Sequence, residues 1–456
     1  MASRLKNIDR NTPMLLPPDL RSWVPENHIV HFILDAASSL DLSEFHINHR
    51  GTGSRQYPPE MMLALLIYCY STGRFSSRVI EEASYSDVIV RYICGNEHPD
   101  HDTICTFRRT NGKLFQECFV KVLALAAELG QLKKVGSVSV DGTKIKASAS
   151  KHSAVSYKKA GQMIVQLELE MEQLMKKAEA ADTAGEDNGL SIPDEIIRRE
   201  DRKARLEKAR AVIEERFKEK QEEQEKEYEQ KLKKRKDKEK KTGRKPPGRP
   251  PQTPAGTPGD RDQYNFTDPE SRIMKAGNGR HFEQSYNAQA AVDLDGSMLI
   301  LGTYVTPAAN DKQQLGDVLE SIPGDIRKVE TVCADCGYFN EAEIRKAEAE
   351  KDLTTLIPPG KIKHGTSLEE LFDPQIPQHP EAEAPMREIM IHRLKSEPGK
   401  ELYRKRKFTV EPVFGIIKEV LGFRRFSLRG LKNVNTEWSL VALAYNFKRL
   451  FRLIAA

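Results

Sequence analysis

Long apolar runs are missing from this 456-residue chain; the longest, MMLALLIYCY from Met61 to Tyr70, is about half of what a bilayer span requires. The opening MASRLKNIDRN also lacks the apolar segment of a secretory signal, so the expectation is a cytoplasmic chain with no membrane partner. Cysteine is scarce, six residues scattered mostly among apolar neighbours, which excludes a disulfide framework. Cys333 and Cys336 form one CxxC, but no second pair completes a zinc site. One-sided charge is lacking too. Lys plus Arg number 72 against 67 Asp plus Glu, leaving +5, so any nucleic-acid function must rest on local clustering. What is abundant is charge itself, 30% of residues against 38% hydrophobic, and part of the chain is therefore not an ordinary globular core.

The excess sits in the middle. From Asp201 to Lys245 there are 12 acidic and 19 basic residues, too many for a core, so this stretch reads as solvated helix or disordered chain. Upstream, Ile164, Leu167, Met171 and Leu174 form one helical stripe, and Ile196, Ile197, Leu206, Ala209, Ile213 and Phe217 suggest a second helix. The turn residues of DTAGEDNGLSIP between them predict a helical hairpin or coiled coil over 151–243. The Pro- and Gly-rich basic segment 244–262 reads as a linker.

The flanks carry ordinary periodicity. Residues 1–132 read as an all-helical domain, for example through Met61, Leu65, Leu66 and Cys69. Residues 133–150 and 263–456 contain short β-prone runs: VGSVSV to Val140, NAQAAVDL and SMLILGTYV on either side of Asp295-Gly296, VETVCA to Ala334, and LTTLIPP. Helical patterns over Gln313 to Ser321, Asn340 to Glu350 and from Val410 onward alternate with them, which gives a mixed α/β order.

Two of those strands run straight into an aspartate. Asp141 follows Val140 and Asp335 follows Ala334, so both carboxylates are expected at the carboxyl ends of strands, where open α/β sheets place their sites. Near the end, Val410, Val413, Phe414, Ile417, Val420 and Leu421 mark a helix whose other stripe carries Glu411 and Lys418. Thr409 is the expected cap, and Glu411 then lies in the first turn, where the helix dipole favours a carboxylate. Asp293, Asp295 and Asp311 are rival carboxylates.

Asp141 after its valine-rich strand, Asp335 in ADCGYF, and YRKRKFTVEPVFGIIK together resemble the carboxylate triad of DDE-type transposases from bacterial insertion sequences. The last segment is similar to that family's Tyr, Arg, Glu, Lys helix. Glu411 and Lys418 keep its spacing, whereas four residues rather than three separate Arg406 from Glu411, so Arg406 and its neighbour Lys407 both compete for the arginine's place beside Tyr403. RQYPPEMMLALLIYCYSTG and HPDHDTICTFRR resemble the helical amino-terminal domain of the same group. The resemblance implies a ribonuclease-H-like mixed sheet with helices, preceded by the helical domain and interrupted by the charged insertion. It further implies Asp141, Asp335 and Glu411 as catalytic residues and ligands of two Mg²⁺ ions, with Mn²⁺ as substitute. Asp141 would serve both ions, the pair about 4 Å apart suiting phosphodiester chemistry.

The implied activity is binding of element ends, hydrolysis to 3′-hydroxyls and their transfer into target DNA. The partners would be double-stranded DNA and at least a second copy of the chain at the nucleoid, with no small-molecule substrate. The alternatives are an inert, transposase-derived DNA-binding repressor and a metal-dependent nuclease that does not rejoin ends. For DNA contacts, the 56 residues from Glu401 hold 12 basic and four acidic side chains. The candidates there are Lys418, Arg406, Tyr403 and Lys407. Arg108 and Arg109 on the helix opening near Asp102 are further candidates, as is Arg249, placed for an A·T-rich minor groove.

Overall fold

The computed structural model describes residues 19–39, 56–184, 192–242, 250–275, 281–360 and 384–455. Two compact units are distinguishable: one formed by residues 1–145 and 286–456, the other by 146–285.

In the first unit, six α-helices among the described residues precede the first strand: α1 (Ile29–Ser38), α2 (Pro59–Ser71), α3 (Ser77–Ser86), α4 (Val88–Ile93), α5 (His101–Thr110) and α6 (Gly112–Glu128). The run that is too short for a bilayer becomes α2, buried all round from Met62 to Ser71, as suits a helix at the centre of a bundle. Among the described residues, no helix is long and apolar enough to cross a membrane. α1, α2 and α6 pack against the closing helix of the chain (Leu431–Ala455), so the amino-terminal helices share a core with the carboxyl end.

The sheet has six strands among the described residues: β1 (Val135–Lys146), β5 (Phe282–Asp293), β6 (Ile300–Thr306), β7 (Lys328–Ala334) and β8 (Thr354–Leu356) run in the order β6-β5-β1-β7-β8, and the sixth, Arg272–Lys275, pairs with the first residues of β5. β7 is parallel to β1 and to β8, and β6 is antiparallel to β5. Leu294 donates to the Ser137 carbonyl and Ala147 to that of Gln284, the opposed progression that makes β5 antiparallel to β1. Third-second-first-fourth-fifth, with the first three antiparallel and the last two parallel to the first, is the ribonuclease-H-like arrangement. The Asp295-Gly296 hairpin forms between β5 and β6, with Gly296 at φ 125°.

Among the described residues, four α-helices flank or follow the later strands of this sheet: α9 (Leu315–Glu320), α10 (Glu341–Lys351), α11 (Met386–Lys395) and α12 (Glu397–Arg406). Then come α13 (Val410–Gly415), which widens into a π turn over Ile416–Val420, and α14 (Leu431–Ala455). α14 covers the edge strand β6. Asn446 accepts from the Ile300 N–H and donates to its carbonyl, and Asn435 does the same at Val305, so the backbone groups of these two buried edge residues find partners. Trp438 closes the core, its ring nitrogen donating to the Gln289 carbonyl at 2.8 Å.

The second unit holds β2 (Ala154–Ser156), α7 (Tyr157–Ala184), α8 (Ile192–Thr242), β3 (Gln263–Asn265) and β4 (Arg272–Lys275). β2 pairs with β3, and β4 with the first residues of β5. α7 and α8 pack side by side, but their apolar core is confined to Val155, Ala160, Ile164, Leu167, Leu206, Ala209, Ile213 and Tyr264. Ile197 is exposed, so the stripe read from Ile196 onward does not continue into that core. Arginines finish the job that apolar residues do not: Arg210 lies over the Tyr157 ring and Arg205 over Phe266.

Candidate active site

The parallel ladder between β1 and β7 ends at the pair Val140 and Ala334, which places Asp141 and Asp335 side by side at the next position. One expectation needs correction. β1 does not stop at Val140 but runs on to Lys146, because β5 still pairs with it after β7 has ended, so Asp141 stands at the end of a ladder and not of a strand. Asp335 does follow its strand directly, and its carboxylate accepts from the Gly337 N–H at 2.8 Å, capping a short turn.

Glu411 arrives from the first turn of α13. Thr409 does not cap that helix by its side chain. Its hydroxyl turns back to the Lys405 and Arg406 carbonyls at the end of α12, which also accept from the Phe408 and Thr409 N–H groups. Arg406, itself 8% exposed, joins the elements: Nη2 donates to Asp141 Oδ2 at 3.1 Å and Nη1 to Glu411 Oε1 at 3.2 Å. Lys407 points to solvent. Among the described residues no three ligating side chains already meet at one cation-sized point; a guanidinium holds the carboxylates instead.

The electrostatics follow from this crowding. Burial drives the Asp141 carboxyl up from 3.8 to about 7, against the pull of Arg406 and with help from Asp335 and Asp311. Burial alone would lower the pKa of Arg406, but Asp141, Tyr403, Asp335 and Glu411 raise it above the ordinary value, so the guanidinium stays charged.

Asp311, weighed in the sequence only as a rival, belongs to the cluster. Its Oδ1 accepts from Asn287 Nδ2 and Gln289 Nε2, both at 2.7 Å. Gln289 in turn accepts from the Tyr338 hydroxyl. Gly142 gives this network room: a Cβ there would run into the Gln289 amide and lie 2.7 Å from Asp311 Oδ1. Asn287 and Gln289 were missed in the sequence. Their signal was two polar residues at alternate positions of the stretch from Tyr286 to Val292, whose other residues are Tyr, Ala and Val, which places both on one face. Asp293 and Asp295 are excluded from the site, since both pair with the buried Arg327 and Asp295 also accepts from the Ser137 N–H.

The expected DNA contacts divide. Lys418 is half-buried, its pKa lowered by that burial, and its ammonium donates to the Lys144 carbonyl on β1 at 3.1 Å. Tyr403 packs against Leu294, Cys333 and Leu356, and burial pushes its hydroxyl up to about 12. Arg108 is not a surface residue. It is 2% exposed and donates to the Tyr70 hydroxyl at 2.7 Å, the Phe75 carbonyl at 2.8 Å and Ser77 Oγ at 3.1 Å, with the buried Glu437 beyond. Only Arg109 of that pair is exposed. Arg249 lies outside the described residues.

Residues 252–447 match the Transposase DDE domain, and residues 18–110 match the Transposase domain (DUF772). Asp335 and Glu411 fall within the first range, whereas Asp141 lies between the two and is brought to the others by the fold. No curated protein and no solved structure matches the chain.

Proposed function

The chain belongs to the DDE-type transposases of insertion sequences, and from there we propose that it cuts its element's ends and joins them to target DNA, with Asp141, Asp335 and Glu411 as the catalytic carboxylates. The observation that carries this reading is Arg406, which brings Asp141 of the sheet and Glu411 of α13 onto one positive charge beside Asp335.

That guanidinium is evidence of fit: carboxylates that need a cation between them, offering only oxygen donors, are suited to Mg²⁺, with Mn²⁺ as substitute. Two such ions held by Asp141, Asp335 and Glu411 would activate the attacking oxygen and stabilise the leaving one. The chain's own residues do the rest. Asn287 and Gln289 fix the Asp311 carboxylate, which adds negative charge behind Asp141. Arg406, poised at two carboxylates, can take a scissile phosphate by the same fork. Lys418, Lys407 and Arg109 supply phosphate contacts at and around the site.

In the first step water attacks phosphorus and the P–O3′ bond breaks, leaving a 3′-hydroxyl and a 5′-phosphate. In the second that hydroxyl attacks a target phosphodiester, one P–O bond forming as another breaks, with its proton passing to solvent. At least two copies of the chain are needed to hold two ends together.

Joining is the discriminating assay. Pre-cut element ends, incubated with supercoiled plasmid and Mg²⁺, should become covalently attached to it, and ends with a 3′-deoxy terminus should not. Hydrolytic nicking with no joined product would assign a nuclease instead.

A further inference from the structure

α8 outlasts its partner. α7 accompanies it only as far as Glu214, where the hydroxyl of Tyr157, the first residue of α7, donates to Oε1 at 2.8 Å. On α8 the apolar core of the second unit ends at Ile213. Phe217 and Lys220 still line a cavity with Gln263 and Ile273. From Gln221 to Thr242 the helix carries on, an arm about 30 Å long at 1.5 Å per residue.

The arm is polar, but its charge is sorted. Glu219 to Glu229 hold six acidic and two basic residues, a net −4, whereas Gln230 to Lys241 hold eight basic and two acidic, a net +6. A lone helix gains more from opposite charges four residues apart than from like charges gathered at one end. Glu222, Glu225 and Glu229 in the first half and Lys233, Lys236 and Lys240 in the second are exposed. Between Lys218 and Thr242 the apolar residues are Tyr228 and Leu232, both partly exposed. Four residues apart, they share one face, and they stand symmetrically about Gln230, where the charge changes sign. Glu225 and Arg235 lie three residues outside them on the same stripe, the 3-4-3 spacing of a two-helix seam.

We propose that this arm pairs antiparallel with the arm of a second copy of the chain, around a two-fold axis at Gln230. One register then satisfies every feature: each Tyr228 meets the partner's Leu232, each Glu225 the partner's Arg235, and each −4 half lies along a +6 half. A parallel pair would set like charge against like, and DNA, which suits the basic half, would be repelled by the acidic one. The surface is small, so the pairing is weak between free chains and strengthens where two copies are held on one DNA molecule. It is independent of the chemistry at Asp141.

The test follows the mass of the full-length chain by sedimentation equilibrium, in chelator and without DNA. The wild type should self-associate reversibly, and less so as salt rises from about 0.05 to about 0.5 M. One variant carries Lys233→Glu, Arg235→Glu, Lys236→Glu and Lys240→Glu, the other Glu222→Lys, Glu225→Lys and Glu229→Lys. Each alone should dimerise at least about tenfold more weakly, because its two halves now repel those of its copy, and an equimolar mixture should recover the dimer. Recovery on mixing also shows that both variants are folded. Leu232→Ala, which removes two apolar contacts per dimer, should weaken association by about tenfold. A wild type that stays monomeric, association indifferent to either reversal, or a mixture that does not recover overturns the proposal. So does a first variant that loses affinity for random duplex while its mass is unchanged, which would make the arm a DNA contact instead.

Discussion

Nη2 of Arg406 lies 3.1 Å from Oδ2 of Asp141, joining a residue of the last third of the chain to the middle of β1 across the whole insertion. The arginine's other nitrogen reaches Glu411, so one side chain compensates two carboxylates that belong to different elements.

Arg406→Ala therefore leaves Asp141 without its cation in a mostly buried place. In chelator the substitution should cost roughly 3 kcal/mol of stability, the low end for breaking a buried pair because Glu411 remains half-exposed. Mg²⁺ should restore much of it. Lys407→Ala should leave stability alone. Thermal melts with and without Mg²⁺ decide which of the two occupies the arginine's place in the motif, and equal effects would refute the assignment of Arg406.

Asp141 also predicts a pH dependence. Burial lifts its carboxyl to about 7, above an ordinary 3.8. A group whose folded pKa is raised contributes stability that is complete below the unfolded value and lost as pH climbs through the folded one. The metal-free chain should thus weaken between about pH 4 and about pH 7, and Asp141→Asn should flatten that slope. Chemical denaturation across this range checks it; a slope unchanged by the substitution contradicts it.

Asp311→Asn should keep the fold, since an amide can occupy the same place, yet remove a negative charge from behind Asp141. Loss of a supporting residue of this kind typically lowers metal affinity about 10- to 100-fold. Mn²⁺ binding followed by paramagnetic resonance measures this directly, and unchanged affinity would show that Asp311 is only a hydrogen-bond acceptor for Asn287 and Gln289.

Arg108 and Arg109 should behave as opposites. Arg108→Ala strands the buried Glu437, whose remaining partners are Tyr70 and the N–H groups of Ser427 and Leu428, and should cost about 3–5 kcal/mol. Arg109→Ala should leave the melting temperature in place and reduce the salt dependence of DNA binding by about one phosphate contact.

That contrast shows where sequence reading stopped. Neighbouring arginines at the end of α5 are indistinguishable in one dimension, and only Glu437 on α14 makes one of them internal. The valine runs of β1 and β7 and the Asp295-Gly296 turn were legible because they are local, and a mixed α/β order followed from them, whereas the ribonuclease-H-like arrangement was implied by the family resemblance alone. The end of β1 was not legible, since it depends on β5 continuing after β7 has stopped. The choice between Arg406 and Lys407 likewise required α12 to end where it does, turning one side chain inward and the next to water. Asp311 was one of three rivals, of which Asp293 and Asp295 already fitted a hairpin turn better, and Arg327 claims both of those.

The most direct measurement is metal-dependent nicking of a labelled duplex carrying the element end, comparing the wild type with Asp141→Asn, Asp335→Asn and Glu411→Gln. The account predicts 3′-hydroxyl nicks with Mg²⁺ or Mn²⁺ that each substitution abolishes while DNA binding persists. Cleavage that survives any one of the three would contradict the assignment of that carboxylate, and a wild type that binds the end without cutting would contradict the catalytic reading as a whole.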